Sequence, residues 1–226
     1  MKRAVIIVAG GKGLRMGSAL PKQFMPLAGM PVLCRTMLKF LEYDPEISIY
    51  LALPENHIDF WRQLSSPFIA PNRYHVVKGG AERFFSVKNA LDCIPQDIDL
   101  IGVHDGVRPL VSIKTIATAY ADASLYGNAI PCIAPPESIR IVEKDSQANH
   151  AIDRSTVKLI QTPQVFDSNI LRKAYGLPYT PLFTDDASVV EQYGQSIHLI
   201  DGDRQNVKIT TMEDIQYAEY ILSQPQ

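Results

Sequence analysis

Short apolar segments alternate with amphipathic ones along most of the chain. Ala4–Val8 and Ile47–Leu53 are nearly continuous apolar runs, and between them, from Pro31 to Tyr43, apolar residues recur at every fourth position. A short continuous run predicts a buried strand, whereas fourfold spacing predicts a helix with one apolar face. This order predicts an α/β fold with a mostly parallel central sheet flanked by helices.

The remaining predicted elements extend this alternation toward the end of the chain. Further helices are predicted over Ile58–Leu64, Arg83–Ile94, Ser112–Leu125, Asp167–Tyr175 and Thr184–Tyr193, with a final helix capped by Thr211 and Asp214. Further strands are predicted over Tyr74–Val77, Asp99–Val103, Ala129–Ile133, Lys158–Ile160, Ile197–Ile200 and Val207–Ile209. Because no repeat, low-complexity tract or linker interrupts the pattern, we predict one domain over residues 1–226.

The segment 135–154 departs from the alternation. Ser138–Val142 and His150–Asp153 flank a polar turn and predict a β-hairpin. The hairpin has no covering helix and few large apolar residues, so we expect it to project and to need a partner that buries its inner face. An ordinary surface hairpin is the alternative.

The first predicted strand runs into a glycine-rich, cationic loop. Its glycines allow backbone N–H groups to approach an anion, and its cations are Lys12, Arg15 and Lys22. A P-loop is excluded because no lysine stands in register after Gly17, and a dinucleotide fingerprint is excluded because Met16 occupies a glycine position. The loop therefore predicts a polyphosphate site of another type, with a ligand-free glycine turn as the alternative.

Composition narrows the classes of function. The 226 residues carry a formal net charge of -2 and a pI near 6.2, which disfavours a nucleic-acid-binding surface. Cys34, Cys93 and Cys132 lack metal-binding spacing and suit reduced thiols in a cytosol. The apolar runs are shorter than the ~20 residues that cross a bilayer. We expect a cytoplasmic protein that binds neither nucleic acid nor membrane.

Polar residues cluster where strands are predicted to end. Gly79 and Gly80 precede a helix that presents Arg83 and Ser86 on one face, and a buried strand ends at His104-Asp105-Gly106, followed by Arg108. Ligands of α/β sheets bind at the carboxyl ends of strands. Asp105 is expected to contact sugar hydroxyls or a metal–phosphate complex and Arg108 an anion, whereas His104 is expected to be structural. Asp185 and Asp186 are interpreted either as site residues or as favourable charges at a helix start.

Taken in order, these motifs resemble the IspD family of 2-C-methyl-D-erythritol 4-phosphate cytidylyltransferases. The match runs through A-G-G-x-G-x-R-M, P-K-Q, G-G-x-x-R-x-x-S, V-H-D-x-x-R-P, D-R, Q-T-P-Q, T-D-D-A-S and N-x-K and covers nearly the whole chain. The resemblance implies a Rossmann-like nucleotidyltransferase fold and a homodimer joined through the hairpin as a β-arm. It implies that CTP and 2-C-methyl-D-erythritol 4-phosphate become 4-diphosphocytidyl-2-C-methyl-D-erythritol and pyrophosphate in non-mevalonate isoprenoid biosynthesis. Mg²⁺ is implied as the cofactor, held mainly by the triphosphate, and no protein ligand to it is assigned.

The resemblance also implies roles for individual residues. The implied catalytic residues are Arg15, Lys22, Arg154 and Lys208, with Arg154 reaching across the dimer from the arm. The CTP-binding positions are Ala9, Gly10, Gly11, Gly80, Ser86, Asp105 and Gly106, to which Arg83 is added because it shares a helix face with Ser86. The acceptor-binding positions are Asp105, Arg108, Ser138, Arg154, Thr162 and Lys208, and Ser138 stands where the family often has threonine.

Some positions depart from the family pattern. Gly10 replaces a frequent alanine, Ala81 a frequent aspartate, and Gly106-Val107 the usual pair of alanines. Cytidylyltransferases for other polyol phosphates, such as ribitol 5-phosphate, share the first loop and are the first alternative, although the segment 184–188 favours methylerythritol phosphate. The second alternative is a non-catalytic nucleotide-binding module. The presence of the family's cations Arg15, Lys22 and Lys208 argues against it.

Overall fold

The computed structural model describes residues 1–10, 20–144, 146 and 148–224. Within these residues the helices are α1 (Val32–Tyr43), α2 (Ile58–Ser65), α3 (Arg83–Cys93), α4 (Ile113–Tyr126), α5 (Ser168–Ala174), α6 (Asp186–Gln192) and α7 (Met212–Ser223). The strands are β1 (Arg3–Val8), β2 (Pro26–Leu27), β3 (Met30–Pro31), β4 (Ser48–Leu53), β5 (His75–Lys78), β6 (Leu100–Asp105), β7 (Asn128–Ile133), β8 (Ile139–Val142), β9 (Asn149–Ile152), β10 (Leu159–Ile160), β11 (Gln164–Asp167) and β12 (Leu199–Asp201). No helix in these ranges is long and apolar enough to span a membrane.

The central sheet is mostly parallel, as predicted. Its strand order is β10-β7-β11-β6-β1-β4-β5, and β12 also pairs with β7. Strands β1, β4, β5 and β6 are parallel neighbours, and β12 is parallel to β7, whereas β10 and β11 run antiparallel to the strands beside them. The predicted α/β class is therefore confirmed.

The order of the strands reverses around β1. Helix α1 leads from β1 to β4 on one side, and α3 leads back to β6 on the other side. In open α/β sheets, such a reversal opens a crevice at the carboxyl ends of the two strands. The crevice in this chain lies beyond the ends of β1 and β6, where Val8 pairs with Asp105.

Both faces of the sheet are covered, which explains the continuous apolar runs. Val5 and Ile7 of β1 pack into a core shared with α1, α2 and α4, whereas Ala4 and Ile6 pack into a second core shared with α3, α5 and α6. A strand buried on both faces needs apolar residues at every position. Helix α4 matches its local signals as well, since Ser112 caps it and Gly127 ends it with a positive φ.

Two features of the sheet were not predicted correctly. Strand β11, which separates β6 from β7, was not predicted, and Val207–Ile209, predicted as a strand, lies outside the strands. The Val207–Ile209 segment is held by a bond from Ile209 N–H to the Val107 carbonyl and by the buried Ile209 side chain. Its apolar residues thus serve a small core beneath α7 instead of the sheet.

The predicted hairpin is present. Strands β8 and β9 pair antiparallel with each other in a two-stranded sheet of their own, and their side chains are mostly exposed. Joining of two subunits through this hairpin stays a prediction.

Candidate active site

The crevice begins where β1 and β6 end. Gly106 N–H donates to the Val8 carbonyl at 2.9 Å, and the buried Gln23 side chain donates to the Ala9 carbonyl at 3.0 Å. These bonds bring Ala9 and Gly10 beside Asp105 and Gly106. Gly11 and Arg15, two of the predicted site residues, lie outside the described residues.

The turn through Gly79 and Gly80 forms a second wall of the crevice. Gly79 N–H donates to the Leu53 carbonyl at 2.7 Å, and Gly80 N–H donates to the Ser86 hydroxyl at 3.0 Å. The Ser86 hydroxyl in turn donates to the Glu82 carbonyl at 3.2 Å. A Cβ at Gly80 would collide with Phe85, so the path of this turn requires glycine. Ser86 therefore shapes the turn in addition to facing the crevice.

Asp105 is surrounded by three cations from distant parts of the chain. The Lys208 ammonium lies 2.9 Å and the Arg108 Nε 3.3 Å from its Oδ2, and the Arg83 Nε lies 3.8 Å from its Oδ1. Burial alone raises the pKa of Asp105, but the three cations outweigh that effect and hold it well below the ordinary value. The carboxylate is therefore ionised at neutral pH and organises the cations around it.

His104 is structural, as predicted. Its Nδ1 lies 2.9 Å from the Thr162 hydroxyl, which also accepts the Asp105 N–H at 3.1 Å. Its Nε2 lies 3.3 Å from the Arg108 carbonyl, an acceptor, so Nε2 carries the hydrogen and Nδ1 accepts from Thr162. Burial lowers the pKa of His104 to about 3. The neutral imidazole and Thr162 thus support the backbone that presents Asp105.

A network of amides holds the segment that carries Lys208. Arg108 Nη1 donates to the Asn206 carbonyl at 2.7 Å, and the Asn206 side chain donates to the Thr162 carbonyl at 2.8 Å. Gln161 adds a bond to the Asp203 carbonyl at 2.7 Å. Lys208 therefore reaches Asp105 from a segment that is fixed on two sides.

Arg83 is paired with a carboxylate that the sequence did not associate with it. Its Nη1 and Nη2 donate to Asp186 Oδ1 and Oδ2 at 2.8 and 2.6 Å, and Tyr175 also donates to Asp186 Oδ1 at 2.6 Å. Burial lowers the pKa of Arg83, but the Asp186 charge and hydrogen bonds outweigh it and raise the pKa above its ordinary value. Burial raises the pKa of Tyr175. The TDDAS segment thus supplies an ion-pair partner at Asp186, while Asp185, interpreted from the sequence as a site residue or a helix-start charge, caps α6.

Two adjoining cavities open along this arrangement. The first, here the main cavity, has a volume of about 430 Å³ and is lined by Val8, Ala9, Gly10, Lys22, Gln23, Gly80, Ala81, Glu82, Arg83, Ser86, Asp105, Val107 and Lys208. The second, here the side cavity, has a volume of about 160 Å³ and is lined by Arg83, Asp105, Arg108, Ile160, Gln161, Thr162, Gln164, Thr184, Asp185 and Lys208. Arg83, Asp105 and Lys208 line both and form the shared wall.

The structure brings together most, but not all, of the predicted site residues. Lys22 and Lys208 line one cavity although 186 positions separate them (208 − 22). Ser138 and Arg154 are exposed on the hairpin side and line neither cavity, and Arg154 donates to the Pro136 carbonyl at 2.7 Å. Gln23 was not predicted as functional, and Asp186 was interpreted either as a site residue or as a helix-start charge, because neither stands in a pattern that reveals its distant partner.

The fold and the cleft define an α/β nucleotidyltransferase. Its cleft lies where the strand order reverses, and there the turn through Gly79 and Gly80 faces converging cations. Comparison with known proteins gives the particular family. Residues 3–224 match the family model for 2-C-methyl-D-erythritol 4-phosphate cytidylyltransferase, and the chain belongs to this family.

Relatives and solved structures agree with this assignment. The chain is 46% identical over 223 residues to the 2-C-methyl-D-erythritol 4-phosphate cytidylyltransferase of Bacteroides fragilis, covering 98% of this chain and 100% of the relative. It is 44% identical to the enzyme of the same name from Porphyromonas gingivalis, over 98% of each chain. The crystal structure of the Francisella tularensis enzyme aligns with a TM-score of 0.80 at 30% identity, over 97% of this chain and 99% of that one. The 4-diphosphocytidyl-2C-methyl-D-erythritol synthase of Anaerococcus prevotii aligns with a TM-score of 0.83 at 25% identity, over 99% of both chains.

Proposed function

We propose that this chain transfers the cytidylyl group of CTP to 2-C-methyl-D-erythritol 4-phosphate, with CTP in the main cavity and the acceptor phosphate in the side cavity. The observation that carries this proposal is the shared wall, because Asp105 and Lys208 face both cavities while Lys22 faces the first. A transfer between two phosphorylated substrates needs cations at their meeting point. The activity for which the family is named supports the same assignment.

The acceptor phosphate attacks the α-phosphorus of CTP in line. A new bond forms between an acceptor phosphate oxygen and the α-phosphorus, the bond to the bridging oxygen of the β-phosphate breaks, and pyrophosphate leaves with that electron pair. A phosphate monoester is largely ionised near neutral pH, so the nucleophile needs no general base. Positioning and charge neutralisation supply the rate.

The cations divide this work. Lys22 neutralises charge that develops on the α-phosphate and the leaving group. Lys208 and Arg108, which converge on Asp105 in the protein alone, bind the acceptor phosphate. Arg15 shares the role of Lys22 in this proposal, on the resemblance alone.

Mg²⁺ is proposed as the cofactor. No three carboxylate, histidine or cysteine side chains of the described ranges gather around one point. Mg²⁺ commonly keeps waters and binds through one or two carboxylates plus substrate phosphates, so Asp105 in the main cavity fits a metal held mainly by the triphosphate. Bound there, the ion would neutralise phosphate charge.

A homodimer joined through the β8–β9 hairpin is part of the proposal. The hairpin exposes Ile141 and Val142. Arg154, at its root, would then reach the acceptor of a second copy, and Ser138 would lie beside it. We also propose a cytoplasmic location, which suits the three free cysteines and is tested by cell fractionation.

The proposal is tested by offering the purified protein CTP and Mg²⁺ with a panel of acceptors and timing pyrophosphate release. Methylerythritol phosphate should give the highest kcat/KM, with ribitol 5-phosphate and other polyol phosphates below it. A preference for ribitol 5-phosphate would change the acceptor and keep the reaction. CTP binding without pyrophosphate release for any acceptor would indicate a non-catalytic module and overturn the proposal.

A further inference from the structure

Asp186 lies outside both cavities, yet it holds a residue that lines both. Its side chain is fully buried at the first position of α6, whereas its partner Arg83 stands at the first position of α3 and faces the cleft. The two residues are 103 positions apart. Asp186 therefore acts on the cleft only through another side chain.

The Asp186 carboxylate has a second hydrogen-bond donor besides Arg83. Tyr175 donates to its Oδ1, and the Tyr175 ring stacks on Phe84 with centroids 4.7 Å apart. The helix start is anchored by Gln164, whose side chain accepts from Ala187 N–H at 2.8 Å and donates to Asp185 at 2.8 Å. Hydrogen bonds and ring packing within the protein thus hold Asp186 and the start of α6.

This support determines which part of Arg83 faces the cleft. A guanidinium presents its donors in a planar fork, and here both Nη atoms point to Asp186. The remaining Nε lies 3.8 Å from Asp105 Oδ1, within the range of an ion pair. Arg83 consequently joins the Asp186 support to the carboxylate of the shared wall.

We propose that Asp186 is a positioning residue that, through Arg83, holds Asp105 at the boundary between the nucleotide and the acceptor. The inference rests on the proposed function, because it assigns the two cavities to the two substrates. Buried ion pairs seldom add net stability relative to well-packed apolar residues of similar volume. We therefore expect the Arg83–Asp186 pair to fix the position of the shared wall instead of adding stability.

The test is a double-mutant cycle of Asp186→Asn and Arg83→Gln, read out as KM for each substrate, kcat, and calorimetric CTP binding. We expect Asp186→Asn to raise KM for both CTP and methylerythritol phosphate about tenfold, equivalent to one charge-assisted hydrogen bond. The kcat should change much less, because Lys22 and Lys208 stay in place. The double variant should bind no worse than Arg83→Gln alone, since Asp186 acts through Arg83.

A matched control removes a carboxylate from an ion pair elsewhere. Asp59 pairs with Arg62 on the surface of α2, 3.1 Å apart, and Asp59→Asn should leave both KM values at their wild-type level. If Asp186→Asn does not fold, Tyr175→Phe decides the question. It keeps the ion pair and removes one support, and should raise both KM values about twofold.

Three outcomes overturn the inference. The first is that folded Asp186→Asn has wild-type KM values, or that Tyr175→Phe has them where Asp186→Asn does not fold. The second is that the effects of Asp186→Asn and Arg83→Gln on binding add. The third is that kcat falls while both KM values stay constant. Wild-type protein that binds no CTP would instead contradict the proposed function, and the inference with it. Wild-type binding together with unchanged binding by the variants contradicts the inference alone.

Discussion

The shared wall of the cleft and the β8–β9 hairpin are built in opposite ways. The wall is assembled from Arg83 of α3, Asp105 of β6 and Lys208. Asp105 is buried, Arg83 is half-buried and Lys208 is 43% exposed, and the two cations meet at Asp105. The hairpin strands pair only with each other in the described ranges, and Val142 is 66% exposed. The wall is thus organised by contacts within one chain, whereas the hairpin leaves apolar side chains exposed. The contrast separates the residues that line the cleft from those proposed to join two copies of the chain.

The largest effect is expected for Lys22→Ala in the main cavity. Loss of one preorganised group that stabilises transition-state charge should lower kcat by about 10²–10³ while the fold is kept. Steady-state pyrophosphate release at saturating CTP measures this. Lys173→Ala, at an exposed position of α5, is the matched control and should keep wild-type turnover. Wild-type turnover by Lys22→Ala would remove this lysine from the chemistry.

The next prediction concerns the pH dependence of the free energy of unfolding. It compares the buried His104 with His150 on the hairpin. The pKa of His104 is about 3 in the folded protein against ~6.5 when unfolded, so the unfolded state binds more protons between these values. The free energy of unfolding should therefore fall by a few kcal/mol as pH drops from 6.5 toward 3. Urea unfolding as a function of pH measures the slope.

The two histidine variants sharpen this prediction. His104→Asn should be less stable at pH 7 but should lose much of the slope between pH 6.5 and 4. His150→Asn, at an exposed position of β9, should keep the wild-type slope. An unchanged slope in His104→Asn would show that acid sensitivity arises elsewhere.

A smaller effect is expected for Arg154→Ala at the root of the hairpin. If Arg154 reaches the acceptor of a second copy, KM for methylerythritol phosphate should rise about tenfold, the loss of one charge-assisted contact, with KM for CTP nearly constant. Arg140→Ala is the control, because Arg140 bonds to Asn149 on the same hairpin. Unchanged acceptor KM and kcat would contradict the placement of Arg154 across the dimer.

The smallest effect on folding is expected for Val142→Asp. Because this side chain is exposed, the free energy of unfolding of the single subunit should change by no more than about 0.5 kcal/mol. Sedimentation velocity should nevertheless show a shift from dimer to monomer. Leu182→Asp, at an 81% exposed position elsewhere, should not shift it. A dimer that survives Val142→Asp would locate the subunit contact away from the hairpin tip.

Local signals predicted most elements correctly, and long-range pairing explains the errors. The apolar run of β1 and the caps of α4 are local, and both are confirmed. Strand β11 is only four residues long and begins with glutamine, and its place between β6 and β7 depends on partners more than 30 positions away. Val207–Ile209 has a strand-like composition, but its apolar residues are buried beneath α7.

The site residues that follow predicted strands were predictable from the sequence, whereas a residue identified only by a long-range contact was not. Motifs at the ends of predicted strands indicated Asp105 and its neighbours, because polar residues after a buried strand have few other uses. Asp186 was interpreted only as a possible site residue or a helix-start charge, and its bond to Arg83 requires a contact across 103 positions. Such a contact leaves no trace in spacing.

The carboxylate in the shared wall has a consequence for inhibitor chemistry. A compound that bridges the main and side cavities must pass Asp105, which is ionised and flanked by Lys208, Arg108 and Arg83. Anionic groups suit these cations, but an anion placed directly against the Asp105 oxygens would meet like charge. A hydroxyl or amide N–H at that point would match the acid, so a bridging ligand should be negative at its two ends and hydrogen-bond donating in its middle.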